Sequence, residues 1–450
     1  MFHLCESVIM SVEVITMLLA AYMVPHPPIL LNEIGKGEEQ KINKTKQAYE
    51  QIAKEIAKLR PDTILIFSPH APSYRNYIAI SSGDEAKGDF SQFHASQVSF
   101  HERYDKKLIE KIEKEAQIAK IPAGTLGDDA QLLDHGTMVP LYFIEKEYHD
   151  FEIVRIGVSD LDIDIQVTFG KCIAKAIKEM NQKIVVIASG DLSHRLKADG
   201  PYGYCEEGPV FDKEIVRIMK ENDFDALQTI NQSVLKECAQ CGLPSFLMLT
   251  GILSQYAYRT RFLSYEGTFG VGYGICAIDI EKDPFVALAK MSLEHYVRYH
   301  TVLSSAFIPE KMNMPKAVFV SLHINNRLRG CIGTLAPMKK NVGEEIIANA
   351  ISAGTRDPRF HAVRKEELHL IEYSVDILGD PEPASRDDDL DVKRYGVIVD
   401  DGLRRGVLLP DLEGVDTFDQ QLRIALSKAG IDEADDFRIQ RFEVIRHHEM

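Results

Sequence analysis

The chain has 450 residues, 45% of them hydrophobic and 27% charged, and its formal net charge is −16. This length predicts two domains, with three as the alternative, and the composition excludes a disordered chain because enough apolar residues are present to form cores. The excess of acidic residues argues against nucleic acid as the main partner, although it leaves room for a local basic pocket.

Seven cysteines in so long a chain do not suggest a disulfide framework, and they predict a reducing, cytosolic environment. The apolar stretch over residues 1–24 is interrupted by Glu6 and Glu13, has no basic segment before it, and runs directly into the first predicted strand. Neither a cleaved signal nor a membrane anchor is therefore expected. Residues 1–16 are instead expected to form a disordered extension, or to precede the true start of the protein.

The first part of the chain alternates short apolar runs with amphipathic helical patterns. Residues 18–24 and 63–67 are predicted to be buried strands, and residues 38–59 between them have apolar positions at helical spacing. This βαβ spacing predicts a parallel pair joined by a right-handed crossover. Further strands are predicted at 151–156, 183–188, 261–265 and 273–279, and further helices at 163–180, 209–220 and 245–257. The prediction is a layered α/β domain with a mostly parallel sheet.

A charged, proline-containing segment at residues 281–284 marks the expected boundary between domains at 17–282 and 284–450. Beyond it the pattern changes to α+β, and an Asn-Asn pair at 325–326 predicts a hairpin turn. The predicted helices are 285–299, 343–353 and 418–429, and the predicted strands are 317–323, 371–378, 395–399 and 405–409.

Two histidines and a cysteine of the first domain lie in turns at predicted strand ends. His26 lies in a Pro-His-Pro-Pro motif, His70 in Ser-Pro-His-Ala, and Cys241 in Gln-Cys-Gly. Two imidazoles and one thiolate suit Fe(II), zinc or copper and leave open positions for water, substrate or dioxygen. Taken singly, each histidine is more often a hydrogen-bonded turn residue, and Cys238 competes with Cys241 for the thiolate role. The recurrence at strand-end turns favours one shared metal site.

His194 fits the role of a general acid or base. Asp191 precedes it by three residues, so on the first turn of a helix its carboxylate would raise the pKa of the imidazole toward neutrality. Asp191 is equally well explained as a helix N-cap. Asp134 is expected to cap another helix, and His135 after it is expected to face the same rim and to lie in the substrate pocket.

The motifs around these residues form an ordered set along residues 18–279. They are Pro-His-Pro-Pro at 25–28, Ser-Pro-His-Ala at 68–71, Leu-Asp-His-Gly-Thr at 133–137, Ser-Gly-Asp-Leu-Ser-His at 189–194 and Cys-Gly at 241–242. In this order they resemble the LigB-type class III extradiol dioxygenases, and within them the Memo-like branch. The resemblance implies that His26 and His70 ligate Fe(II) and that His194 is the acid/base in the cleavage of an aromatic diol.

The third ligand departs from the dioxygenase pattern. Where the ring-cleaving members carry a glutamate, this chain has Gln240 followed by Cys241, and Memo-like proteins likewise place a cysteine there. A thiolate softens the site, favours copper or zinc more than a carboxylate does, and exposes the ligand to oxidation. Similarity of fold does not carry the reaction type across such a change.

A second motif, Leu-Arg-Gly-Cys-Ile-Gly-Thr at residues 328–334, lies in the C-terminal domain. Arg329 beside Cys331 would lower the pKa of the thiol and make it a nucleophile, with Asp357 and the Asp-Asp-Gly turn at 400–402 facing the same cleft. The simpler interpretation, which physical chemistry alone favours, is a buried strand of small residues with a hydrogen-bonded arginine, beside ordinary capped turns.

Residues 284–450 resemble the AMMECR-type domain, whose signature is this heptapeptide. The resemblance implies an α+β fold in two lobes, and it implies no reaction. The order of the two domains resembles the microbial AmmeMemoRadiSam arrangement, which implies a radical-SAM protein as a partner.

The leading hypothesis from the sequence is a cytosolic metal-dependent enzyme with mononuclear iron and an aromatic diol as its substrate. One alternative is a Memo-like binding or adaptor module that recognises a phosphopeptide or a modified residue without turnover. Another is a factor that modifies protein or RNA together with a radical-SAM partner, with the cysteine domain carrying the group.

Overall fold

A computed structural model describes residues 17–126, 132–388 and 390–449. The extension expected at residues 1–16 lies outside these ranges. The chain divides into two compact units between Lys282 and Asp283. Within the described ranges, no helix is both long enough and apolar enough to cross a membrane.

The first unit contains ten strands and eight α-helices among its described residues. The strands are β1 (Leu18–Val24), β2 (Thr63–Ser68), β3 (Ile78–Ala79), β4 (Glu85–Phe90), β5 (Ala95–Arg103), β6 (Ala123–Gly124), β7 (Glu152–Gly157), β8 (Ile184–Ser189), β9 (Tyr258–Glu266) and β10 (Tyr273–Ile280). The helices are α1 (Asn32–Gly35), α2 (Asn43–Leu59), α3 (Lys106–Ile118), α4 (His135–Ile144), α5 (Ile163–Lys178), α6 (Glu207–Glu221), α7 (Gln232–Glu237) and α8 (Leu243–Leu253).

The main sheet of this unit is mixed, with the strand order β7-β2-β8-β1-β10-β9. The first four strands in this order are parallel to one another, and β10 and β9 are antiparallel to their neighbours. The expected parallel direction of β1 and β2 is confirmed, but β8 lies between them and pairs with both. The carboxyl ends of β1, β2 and β8 therefore lie side by side at one edge, where their following turns meet.

All residues of β8 are buried, and both of its edges are paired. Helix α5 packs against α8 through two glycines, and a Cβ on Gly170 would lie 2.0 Å from the backbone oxygen of Met248. Such a close crossing fixes α8, and with it the Cys241 turn that precedes it, relative to the sheet.

The predicted helix at 38–59 begins as a 3-10 turn before α2, and the strand predicted at 18–24 matches β1 in both bounds. The other predicted helices and strands of this unit are present with shifted ends. The β4–β5 hairpin and α3 were not predicted. Exposed and buried residues alternate along β4, and most of β5 is exposed. The two strands therefore lack the apolar runs by which buried strands are recognised.

The second unit is an antiparallel α+β structure. Its strands are β11 (Val318–Ile324), β12 (Arg327–Gly333), β13 (Glu372–Leu378), β14 (Glu382–Ala384), β15 (Tyr395–Asp400), β16 (Arg405–Leu408) and β17 (Arg438–His448). Its α-helices are α9 (Pro284–Tyr299), α10 (Val342–Thr355) and α11 (Phe418–Ala429). The sheet order is β12-β11-β13-β17-β15-β16, with β14 paired to β17.

The long strand β17 joins the two parts of this sheet. Its carboxyl half pairs with β13, and its amino half pairs with β15 and β14. Its polar sequence, with a single buried residue, explains why it was not predicted. The hairpin turn between β11 and β12 is confirmed, because Asn325 and Asn326 both have positive φ, at 51° and 60°.

Asp212 on α6 is a buried acid that makes the stability of the first unit depend on pH. It accepts hydrogen bonds from the Ser193 amide at 2.8 Å and the Tyr265 hydroxyl at 2.7 Å, and burial still raises its pKa to about 7. The stability it contributes is therefore full below about pH 4 and is lost as the pH rises through about 7. Between pH 5 and pH 8, the free energy of unfolding should fall less in Asp212→Asn than in the original protein, by on the order of 2 kcal/mol. Urea titrations at the two pH values measure this difference.

The matched control is Asp160→Asn, because Asp160 is exposed. It should leave the pH dependence of unfolding as it is in the original protein. If the free energy of unfolding of Asp212→Asn depends on pH as it does in the original protein, Asp212 is not the group responsible.

Candidate functional site

His26 lies just after β1 and is only 2% exposed. Its backbone amide donates to Asp191 Oδ1 at 2.8 Å, and its ring Nδ1 lies 2.9 Å from the hydroxyl of Ser189. That hydroxyl donates its own proton to the backbone oxygen of Gly136 at 2.6 Å, so it accepts from Nδ1. The Nδ1 atom of His26 therefore carries the proton, and its Nε2 presents a lone pair.

Two further donor atoms face that lone pair. His70 Nε2 lies 3.1 Å from His26 Nε2, and Cys241 Sγ lies 3.7 Å from it. The three donor atoms all lie within 4.8 Å of one another. Metal–nitrogen bonds of about 2.0–2.1 Å and a metal–sulfur bond of about 2.3 Å at tetrahedral angles separate ligand atoms by roughly 3.3–3.6 Å. The donor set therefore fits a single ion in both chemistry and spacing.

The electrostatics of the cluster suit a ligand set. Burial, then the neighbouring His70 ring, lowers the pKa of His26 to about 3, so its imidazole is neutral. Burial, then the Asp191 carboxylate, raises the pKa of the Cys241 thiol well above its usual value. Burial also raises the pKa of Asp191 to about 6. A metal that binds here must displace the thiol proton, since the thiolate is the ligand form.

Helix α4 places His135 beside this cluster. Its predicted N-cap is confirmed, because Asp134 accepts from the Thr137 amide at 3.0 Å, and the same carboxylate accepts from the Ser68 hydroxyl at 2.5 Å. The His135 ring lies against that of His70, with centroids 4.0 Å apart and planes tilted by 34°, and burial lowers the pKa of His135 to about 3. The cap thus joins the β2 turn to α4 and orients two imidazoles together.

The expected helix that would carry Asp191 and His194 is wrong. Residues 190–193 have no regular structure, and Asp191 caps no helix but instead accepts from the amide of His26. The pKa of His194 is lowered, since burial outweighs the opposing effect of the Asp191 carboxylate. Its Nε2 is buried and has no hydrogen-bond partner among the described residues, and the ring of Tyr202 lies 5.0 Å from its own.

The structure distinguishes between the two cysteines that compete for the thiolate role. Cys241 Sγ accepts from the Asp191 amide at 3.3 Å and faces His26. Cys238 is fully buried, its thiol donates to the backbone oxygen of Leu235 at 3.6 Å, and burial raises its pKa to about 11. Only Cys241 belongs to the three-residue cluster.

Two residues that position the site were not assigned from the sequence. Ser189 begins the Ser-Gly-Asp-Leu-Ser-His motif at 189–194. Its role in fixing the His26 ring is evident only from its hydrogen bond to the backbone oxygen of Gly136. Arg155 on β7 is 1% exposed, donates to the Ser81 hydroxyl at 2.7 Å, and lies 3.5 Å from the Asp134 carboxylate. The sequence did contain a signal for Arg155, since an arginine within an apolar strand is unusual.

In the second unit, Arg329 does not activate Cys331. The Arg329 guanidinium pairs with Glu367, with Nε–Oε1 at 2.9 Å and Nη2–Oε2 at 3.2 Å. The thiol of Cys331 instead accepts from the Ser321 hydroxyl at 3.1 Å, and burial raises its pKa. The predicted lowering of the thiol pKa by Arg329 is wrong, because burial raises that pKa and the guanidinium whose charge opposes the rise is that of Arg359.

Asp357 does lie against the Cys331 backbone. Its Oδ2 accepts from the Cys331 amide at 2.9 Å, and the bidentate pair with Arg359 holds its pKa well below the usual range. The turn at 400–402 connects β15 to β16, where Asp400 accepts from the Gly402 amide at 2.7 Å. It is an ordinary capped turn, and its residues do not line the cavity beside Arg329.

Comparison with known proteins agrees with the two-unit division. The family described as the catalytic LigB subunit of aromatic ring-opening dioxygenase matches residues 20–276, and AMMECR1 matches residues 286–447. A solved structure, that of the uncharacterized protein PH0010 from Pyrococcus horikoshii, is 29% identical, covers 36% of this chain and 88% of its own, and has a TM-score of 0.33.

Two relatives extend the comparison. Protein CA_C1420 of Clostridium acetobutylicum is 43% identical over 95% of this chain and 98% of its own length. A protein of Thermotoga maritima is 51% identical over 37% of this chain and 99% of its own length. Because the LigB match covers more than half of the sequence and one relative matches nearly end to end, the chain belongs to the LigB family, with an AMMECR1 domain after the LigB domain.

Proposed function

We propose that the LigB domain is a mononuclear metal-dependent enzyme, with iron as its metal and an aromatic diol as its substrate. The observation that carries the proposal is the fixed tautomer of His26, whose Nε2 lone pair faces His70 and Cys241. Two nitrogens 3.1 Å apart are joined either by the proton of a neutral His70 ring or by a cation, and the Cys241 sulfur beside them adds a third donor that a single proton does not satisfy. A metal ion satisfies all three donors at once.

His26, His70 and Cys241 would hold the metal, which would supply a Lewis acid with open positions for the substrate oxygens. Neighbouring groups fix two of these ligands. The Ser189 hydroxyl holds the His26 ring, and the Asp191 amide donates to the sulfur of Cys241. Because these groups are held by neighbouring strand ends, substrate binding requires little reorganisation of the ligands.

His194 is the proposed acid/base. Its lowered pKa keeps the ring neutral at pH 7, so that it accepts a proton from a substrate hydroxyl. Its Nε2 has no partner among the described side chains, which leaves the nitrogen available for that proton. The half-exposed ring of Tyr202 lies beside it, with the two centroids 5.0 Å apart and the planes tilted by 37°.

The test is oxygen uptake by anaerobically purified, iron-reconstituted protein after addition of catechol. We expect turnover in the unaltered protein and a loss of at least about 100-fold in kcat for His194→Gln, with iron content unchanged, because the variant lacks the proton acceptor. His149→Gln, at an exposed histidine, is the matched control. Full iron loading without any oxygen uptake would contradict ring cleavage, and equal kcat in both variants would contradict the role of His194.

A further inference from the structure

The AMMECR1 domain contains a cavity of about 700 Å³ beside β12. This volume lies within the range of small-molecule sites. Three arginines line it (Arg329, Arg359 and Arg364), together with Phe360, His361 and Glu367. In a chain with a net charge of −16, the three guanidinium groups of this cavity face two carboxylates, Glu367 in the lining and Asp357 paired with Arg359, so that the cavity keeps an excess of positive charge.

Arg329 is the most rigid cation of this cavity. Its side chain is 15% exposed, and the bidentate pair with Glu367 fixes the plane of its guanidinium. Its Nη1 is buried and has no hydrogen-bond partner among the described residues. A buried donor without a partner is destabilising, and an oxyanion is the ligand that a guanidinium edge binds best.

Arg359 is held on the other side by two acceptors. Asp357 binds it through Nε–Oδ1 at 2.9 Å and Nη2–Oδ2 at 2.7 Å, and Nη2 also donates to the backbone oxygen of Cys331 at 3.2 Å. The signature heptapeptide thus supports the cavity wall through its backbone and through Arg329, and its thiol is bonded elsewhere, to Ser321.

An aromatic ring lines the cavity near these two cations. The Phe360 centroid is 6.0 Å from the Arg329 guanidinium carbon and 5.5 Å from that of Arg359. A ring that lines a cavity beside cations offers a stacking surface for a planar group whose other end is an anion. A cavity of this volume also exceeds what a bare phosphate ion fills.

We propose that this cavity binds a mononucleotide, with the phosphate on Arg329 and Arg364 and the base on Phe360. The arginines and the aromatic ring together favour a ligand in which a phosphomonoester is joined to a planar ring. The acidic charge of the whole chain disfavours a polyanionic strand, so that the free mononucleotide is the expected source.

The test is isothermal titration of the full chain with AMP, GMP, CMP and UMP. The reference probes are ribose 5-phosphate, which lacks the base, inorganic phosphate, and a 5′-phosphorylated tetraribonucleotide. We expect at least one mononucleotide to bind about ten-fold more tightly than ribose 5-phosphate, and Phe360→Leu to remove that advantage while leaving ribose 5-phosphate binding unchanged. Arg364→Ala should weaken both by several-fold and reduce their salt dependence.

Arg423→Ala is the matched control, because Arg423 is a similarly exposed arginine paired with Glu433 away from the cavity. Arg364 is 78% exposed, so its removal does not endanger folding. Equal affinity for the mononucleotides and ribose 5-phosphate, no measurable binding, or no effect of Phe360→Leu would each overturn the proposal. Tighter binding of the tetranucleotide than of any mononucleotide would overturn the assignment to a free nucleotide.

Discussion

Replacing His26 with alanine is expected to reduce the metal bound by anaerobically purified protein from about one ion per chain to nearly none. The substitution removes the only one of the three donors that contacts both of the others, His70 and Cys241. It also frees Ser189, whose hydroxyl can keep its bond to Gly136, so that the fold should persist. The measurement is metal stoichiometry by inductively coupled plasma mass spectrometry, with thermal unfolding to verify folding.

The matched control for this experiment is His149→Ala, at an exposed histidine outside the three-residue cluster. It should keep the full metal content. Equal stoichiometry in His26→Ala and the control would refute the ligand assignment. The identity of the retained ion, iron against zinc or copper, follows from the same spectra and tests the proposed iron directly.

Replacing Gly190 with alanine is expected to destabilise the LigB domain by about 3 kcal/mol and to abolish metal binding. A Cβ at this position would lie 2.1 Å from the Cα of Gly242, and backbone atoms cannot yield as the end of a side chain can. The added methyl group would force apart the turn after β8 and the turn that carries Cys241. The measurements are urea unfolding and metal stoichiometry of the same preparation.

Gly37→Ala is the control that isolates backbone strain, since Gly37 has φ of 105° and no neighbouring atom within 4 Å of an added Cβ. We expect it to lose about 1 kcal/mol from strain and to retain its metal. If Gly190→Ala behaves like Gly37→Ala in both measurements, the two turns do not depend on their close approach.

Much of the secondary structure could be predicted because its signals are local. The helix at 418–429 matches α11 in both of its bounds, and the Asn-Asn turn at 325–326 needs only its own two residues. The β4–β5 hairpin and strand β17 were missed, since their sequences are mostly polar and carry no apolar run. Apolar patterns in a sequence indicate which residues are buried. A polar strand lacks such a pattern, because it is stabilised by pairing with segments distant in the chain.

The candidate site shows the same limit. His26, His70 and Cys241 were predicted to form one site, and the structure brings them together. The roles assigned by neighbouring position were less accurate. Asp191 was expected to pair with His194, three residues away, but it accepts from the amide of His26, which is 165 residues distant. Arg329 was likewise expected to act on Cys331, and its actual partner is Glu367.

The sequence by itself determined the two domains, the donor residues and the strand-end turns that carry them, because motif order and hydrophobic periodicity are properties of the linear chain. Only the tertiary structure decided that β8 lies between β1 and β2, which proton His26 carries, and which charges are already paired. These outcomes depend on burial and on partners far apart in sequence. Protonation, hydrogen bonding and ion pairing are set by the groups that surround a side chain in space, so they become definite only after the strands have assembled.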